Sequence, residues 1–309
     1  MEKTNILHLW WLDRVIRNRT LRLICNMVTL RRVAVIFIVF ISVSEFGWFP
    51  HFIKRGFYCD DRTIQRPYKG DTVTIAVIIL SGFVPLFLIW FTEALFYSPT
   101  AMECTKIDSS NSRCLDSWYN TWHWFKKYGR GLLIKLLLVD IMKIFSGEHR
   151  PHFLDTCKPN VICEGSEYVS SYICTNTVDN QYFIRDASKS FPSGHSSLSV
   201  YQAIFVIWYL QKRIPNIKST MALPLAQFLL ATWAVFCSLS RIADNRHHWW
   251  DVLAGAIIGV IAAGLTCFIS CNNFDRFKRE SNYKVHNDNL MGSVAHYKED
   301  NLPGIVNSI

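Results

Sequence analysis

Three short stretches of this 309-residue chain gather side chains able to do chemistry. Lys143 to Pro151 reads KIFSGEHRP, Phe191 to Ser196 reads FPSGHS, and Ser240 to Asp251 reads SRIADNRHHWWD. Lys143, Arg150 and Arg241 are fixed cations, and the two guanidiniums carry a planar fork that matches phosphate oxygens. Ser193 and Gly194 precede an expected helix start, where free backbone N–H groups favour anions. His195 and His247 supply imidazole, the side chain best suited to exchange protons near neutral pH. Asp251 follows His247 at helical spacing, so its carboxylate can share a face with the ring and fix its tautomer. A nucleophile, an orienting carboxylate, a proton donor and an anion cradle are the parts of a phosphoryl-transfer site.

Each stretch has a plainer explanation when taken singly. Lysine and arginine at a helix end can snorkel to a membrane interface. Pro-Ser-Gly is ordinary turn chemistry. A histidine beside tryptophans suits an aromatic belt. What binds the three together is the layout of the chain.

Half of the residues are hydrophobic, and they lie in long unbroken runs such as Val33 to Phe49 and Thr72 to Phe96. Runs of this length match a hydrocarbon core of ~30 Å, where only helices and closed barrels satisfy the backbone. Six spans are expected, near 33–50, 72–96, 128–146, 195–211, 222–240 and 252–271. The fold class is therefore all-α and polytopic, with a long non-cytosolic loop between spans three and four. A basic segment, 1–32, precedes the six-span unit at 33–271, and a polar tail follows at 272–309. Leu21, Leu23, Ile24 and Val28 stand among arginines. They suit either a helix on the inner leaflet or a plain charged tail.

Arg14, Arg17, Arg19, Arg22, Arg31 and Arg32 ahead of the first span argue for a cytosolic N-terminus. Lys212, Arg213, Lys218 and the tail then fall on the cytosolic side as well. The net charge of +9 is explained by this topology, and nucleic-acid binding is not expected. With that orientation all three chemical stretches emerge on the same, non-cytosolic face. Span three carries Lys135, Asp140 and Lys143; pairing of Asp140 with Lys143 is the plain account of those charges. Cys59, Cys157, Cys163 and Cys174 fall in outer loops, where one disulfide is expected with its pairing left open. The chain has no Cys-x-x-Cys pair that would suggest zinc.

The spacings Lys-x6-Arg-Pro, Pro-Ser-Gly-His and Ser-Arg-x5-His-x3-Asp resemble the signature of the type 2 phosphatidic acid phosphatase superfamily. Within it, Gly56 to Asp61, Pro67-Tyr68 and Arg150 to Asp155 are similar to stretches of animal lipid phosphate phosphatases. The likeness covers roughly residues 30 to 272. It implies a phosphoric monoester hydrolase acting on phosphatidate, lysophosphatidate, sphingosine 1-phosphate or ceramide 1-phosphate. It further implies that His247 is the nucleophile, Asp251 its support and His195 the proton donor. Lys143, Arg150, Arg241, Ser193 and Gly194 would hold the phosphate. Neither metal nor cofactor is expected, because the cations supply the charge. The expected partners are lipid substrates in the bilayer, with a homo-oligomer left open. The plasma membrane is the expected location, with the site facing outside, or the lumen in an internal membrane.

His248 is a rival nucleophile, but the spacing to Arg241 and Asp251 favours His247. The outer loops lack an Asn-x-Ser/Thr sequon, and Asn18-Arg19-Thr20 lies on the expected cytosolic side. A catalytically dead lipid binder would have lost a histidine, and both are present. A lipid phosphotransferase would carry a different first motif, and a transporter would show broken half-helices in matching repeats.

Overall fold

The computed structural model describes residue 35 and residues 55–96, 110–163, 165–214 and 221–274. The expected first span, the basic N-terminal segment and the tail beyond residue 274 lie outside the described residues. What is described is mostly helical. Helix α1 (Ile75–Ser81) and α2 (Phe83–Phe96) form one span interrupted at Gly82. Helix α3 runs from Ser110 to Ser146, far longer than the expected 128–146. Two short helices follow, α4 (Phe153–Cys157) and α5 (Gln181–Asp186). The bundle closes with α6 (Gly194–Arg213), α7 (Ala222–Ala243) and α8 (Trp249–Leu265), the last continuing through a π-turn at Thr266–Ser270.

Helix α6 is the central element, packing against α8, α7, α2 and α3. Its inward residues include Ser196, Ser197, Ser199, Tyr201 and Gln202, all buried. Apart from Gln202 Nε2, their polar atoms find partners inside the bundle. Ser196 Oγ donates to the Val252 carbonyl at 2.9 Å, and Tyr201 Oη donates to the Tyr128 carbonyl at 2.8 Å. The surrounding helices carry the apolar load outward. Among the described residues three helices are long and apolar enough to cross a membrane: Ile75–Phe96, Ala222–Ala243 and Trp249–Ser270. Few of the residues in them are buried within the bundle, as a lipid-facing wall requires. The protein is thus a membrane protein whose central helix α6 is not among its three apolar spans.

Two places show how the bundle is held. Glu93 sits fully buried on α2 and accepts from Arg213 Nε at 2.9 Å, Arg213 Nη2 at 2.7 Å and Tyr209 Oη at 2.7 Å. A buried carboxylate is tolerated only with such full pairing. At the other end of α6, the backbones of α6 and α8 come together over two glycines. A Cβ on Gly255 would collide with the Ser193 carbonyl, and one on Gly259 would lie 2.7 Å from the Ser197 carbonyl. Small residues permit this approach.

The segment between α3 and α6 is ordered, as expected of a long loop, but is not purely loop. It carries α4, α5 and a strand β2 (Tyr168–Val169) that pairs antiparallel with β1 (Phe57–Tyr58). Phe57, Ile64, Phe153, Val169 and Ala187 form its own small core. Two disulfides staple it, Cys59–Cys163 and Cys157–Cys174. The expectation of a single bridge is corrected: the sequence separations give no contact information, whereas the β1–β2 pairing and α4 bring four thiols into two partnerships.

Because the Gly255 contact is with backbone, the neighbour cannot swing aside. Gly255→Ala should cost ~1–3 kcal/mol, the usual penalty for overpacking. Thermal unfolding in detergent micelles measures this, and an unchanged midpoint would mean that α6 and α8 pack less closely than described.

Candidate active site

The three stretches meet at the end of the bundle where α6 and α8 begin and α3 ends. Ser193 caps α6, its hydroxyl accepting from the Ser196 N–H at 3.5 Å. The Ser193 N–H in turn donates to the Asp251 carbonyl at 3.0 Å, joining the second stretch to the third. The first stretch joins through the Ser190 N–H to the Glu148 carbonyl at 2.9 Å, and through Ser146 Oγ to the Phe191 carbonyl at 2.9 Å. Lys143, in the last turn of α3, reaches over Gly194. Its Nζ lies 3.5 Å from where a Cβ would stand. The ammonium therefore faces the N-terminus of α6, where dipole and free N–H groups already favour an anion.

His247 is buried beside Asp251, with Nδ1 3.6 Å from Oδ2. The same Oδ2 accepts from Ser190 Oγ at 2.5 Å and from the His248 N–H at 2.9 Å. Asp251 is thereby fixed on the Nδ1 side of His247, and Nε2 is the edge that faces away. His248 is the nearer ring to this carboxylate, its Nδ1 3.2 Å from Oδ2. Its other nitrogen faces the Thr63 carbonyl at 3.3 Å, and the ring stacks on Trp250 with centroids 4.4 Å apart. Both edges of His248 are occupied by protein, which leaves His247 as the ring with a free edge. His195 Nε2 is buried and has no hydrogen-bond partner among the described residues.

Four cations line the site among the described residues: Lys143, Arg150, Arg241 and Arg246. The guanidiniums are held by Asp71 and Asp186, which lie outside the three stretches, and by Asp244 within the third. Arg241 pairs with Asp71 at 3.0 Å and with Asp244 at 2.8 Å, and Asp244 is itself bound by Thr72 Oγ1 at 2.6 Å. Arg150 pairs with Asp186 at 2.8 Å, while its Nε is buried without a partner. Arg246 reaches Asp186 at 3.3 Å and Asp71 at 3.2 Å, its guanidinium lying over the rings of Tyr68 and Phe183. Burial alone would raise the Asp186 pKa, but Arg150, Lys143 and Arg246 outweigh it and bring it to about 2. Glu148, His248 and Asp251 offer donor atoms within 4.8 Å of one another. The Asp251 and His248 contacts just given already engage both of those residues.

Every residue that the sequence assigns to the site is brought to this one place. Sequence reasoning missed Arg246, Asp186, Asp71, Asp244 and Ser190. Arg246 and Asp244 lie within the third stretch and could have been suspected from that adjacency; Asp71 and Asp186 carried no local signal.

The sequence profile of the PAP2 superfamily matches residues 124–274, which contain every residue named for the site before the fold was known. Rat phospholipid phosphatase 1 is 34% identical over 216 residues, 68% of this chain and 73% of that protein. Mouse phospholipid phosphatase 1 is 33% identical over 249 residues, 79% and 83% respectively. The chain belongs to the PAP2 superfamily. Within the superfamily it groups with the lipid phosphate phosphatases. A Drosophila melanogaster relative shares 32% identity, and this chain spans 59% of its length. No solved structure gave a match.

Burial pushes the His247 pKa down to about 3; Arg150 and Lys143 add to this, and Asp251 opposes it. The unliganded ring is therefore neutral throughout the working range. The unfolded chain takes its proton first, near 6.5, so this group lowers stability progressively from there down to about 3. For kcat/KM, which reports the free enzyme, His247 should add no acid-side ionisation beyond that of the substrate phosphate, ~6. A further unit step from the enzyme near 6.5 would show that His247 titrates as an ordinary imidazole.

Proposed function

We propose that the protein removes phosphate from lipid phosphate monoesters at the non-cytosolic membrane face, through a phosphohistidine on His247 and without a metal. One observation carries the reading. His247 has a carboxylate behind one nitrogen and four cations gathered at the same bundle end, so its other nitrogen opens toward an anion site. The candidate substrates are phosphatidate, lysophosphatidate, sphingosine 1-phosphate and ceramide 1-phosphate, and relatives named phospholipid phosphatase support that class.

In the first step His247 Nε2 attacks phosphorus while the ester P–O bond breaks. His195 gives its proton to the departing alkoxide. The negative charge on the three remaining oxygens is met by Lys143, Arg150, Arg241 and the N–H groups at Ser193 and Gly194. In the second step His195, now neutral, takes a proton from water as it attacks phosphorus. The P–N bond breaks, and Asp251 holds the imidazole in place throughout. The cation array supplies the charge stabilisation that a metal would otherwise provide.

The two disulfides support the orientation, since such bonds persist in non-cytosolic compartments. A tag inserted near Asn176 should be detected on intact cells if the protein sits in the plasma membrane. Detection only after permeabilisation would place the site in an internal lumen or on the cytosolic side.

His247→Ala should be inactive on every phosphate ester. His195→Ala should lose ~10²–10⁴-fold on lipid substrates, whose alkoxides need a proton. On p-nitrophenyl phosphate, whose leaving group departs as a stable anion, it should give a nitrophenol burst matching the enzyme present and then turn over slowly. Equal losses on both substrates without a burst would remove His195 from its role. Activity in micelles should also survive excess EDTA, and abolition with rescue by magnesium would overturn the metal-free mechanism.

A further inference from the structure

Asp186 is a carboxylate set among cations that the phosphate itself should want. It ends α5 and is fixed there: the Arg150 N–H donates to the neighbouring Ala187 carbonyl at 2.9 Å. One oxygen takes Arg150 Nη2 at 2.8 Å and the other faces Arg246 Nη2 at 3.3 Å. Lys143 acts on the same carboxylate through space. Arg246 has no freedom to leave, being held also by Asp71 and by His152 Nε2 at 3.3 Å. Arg150 differs in its Nε: neither Nε makes a hydrogen bond among the described residues, but that of Arg246 still lies 3.2 Å from Asp71, whereas that of Arg150 has no such contact and remains for another acceptor.

We propose that Asp186 is a positioning residue that also weakens product retention: it aims Arg150 at the phosphate while subtracting charge from the cradle. The inference rests on the phosphatase reading above. Its logic follows from where the charge goes. Inorganic phosphate carries as much negative charge as the ester it came from, so a bare cluster of cations binds substrate and product alike. Binding that does not distinguish the transition state does not raise kcat, and it slows release. A fixed carboxylate within the cluster repels both anions, and holds the Arg150 fork in one orientation at the same time.

A purely structural role makes the opposite forecast. If Asp186 only held Arg150, its loss would loosen the guanidinium and weaken phosphate binding. The sign of the change in phosphate affinity therefore separates the two. Asp186→Asn keeps the shape and removes the charge. Inorganic phosphate should inhibit it ~10-fold or more tightly than wild type, as loss of a nearby repelling charge requires, and kcat should fall. Asp186→Glu should return both toward wild type.

The test uses the full chain in detergent, with p-nitrophenyl phosphate turnover and with phosphate-dependent thermal stabilisation as a binding readout that needs no turnover. Asp186→Ser carries the same expectation if the amide variant does not fold. Unchanged or weaker phosphate binding in a charge-removing variant that still unfolds cooperatively would overturn the proposal. Wild-type protein that binds phosphate yet releases none from any lipid monophosphate would instead overturn the phosphatase reading.

Discussion

Helices α6 and α8 touch at their N-terminal turns through backbone, and the site exists because of that touch. Gly255 and Gly259 remove the side chains that would keep the helices apart. The Ser193 N–H can then reach the Asp251 carbonyl at 3.0 Å, and Ser196 Oγ the Val252 carbonyl at 2.9 Å. Asp251 thus serves the fold with its main chain and, in the proposed function, the chemistry with its carboxylate. It seats the turn that aims Gly194 and His195, and it backs His247. A change in the α6–α8 distance would displace all of these at once.

The second constraint is charge. Four cations at one buried place would repel one another and resist desolvation, and each needs compensation in a dry environment. Asp71, Asp186 and Asp244 supply it, two of them by bridging two guanidiniums apiece. These carboxylates come from α5, from the segment before α1 and from the end of α7. The cation array is therefore held by the outer cap as much as by the bundle. The cap is in turn held by its own core and by the two disulfides.

Much of this was legible in the sequence, for identifiable reasons. The motif residues were readable because a phosphoryl-transfer site would call for those types at those spacings, and every one of them reaches the same end of the bundle. Helices α2, α7 and α8 were readable because lipid contact makes them apolar. Helix α6 reads less clearly on hydropathy because it lies inside, where Ser196, Ser199 and Gln202 are buried. The N-terminal reach of α3 was missed because Asn120 to Lys127 is not an apolar run. Asp71 and Asp186 were invisible because their role depends on contacts with residues far along the chain. Placement of Lys143 over Gly194 gives that charge a purpose that pairing within span three would not.

The most direct test of the account is to locate the phosphate during turnover. Wild-type protein and His195→Ala would be mixed with p-nitrophenyl phosphate, quenched in alkali to preserve phosphohistidine, digested and sequenced by mass spectrometry. The account predicts phosphate on His247, accumulating most in His195→Ala because hydrolysis of the intermediate is slow there. Phosphate on His248 or His195, or an intermediate that survives His247→Ala, would contradict it.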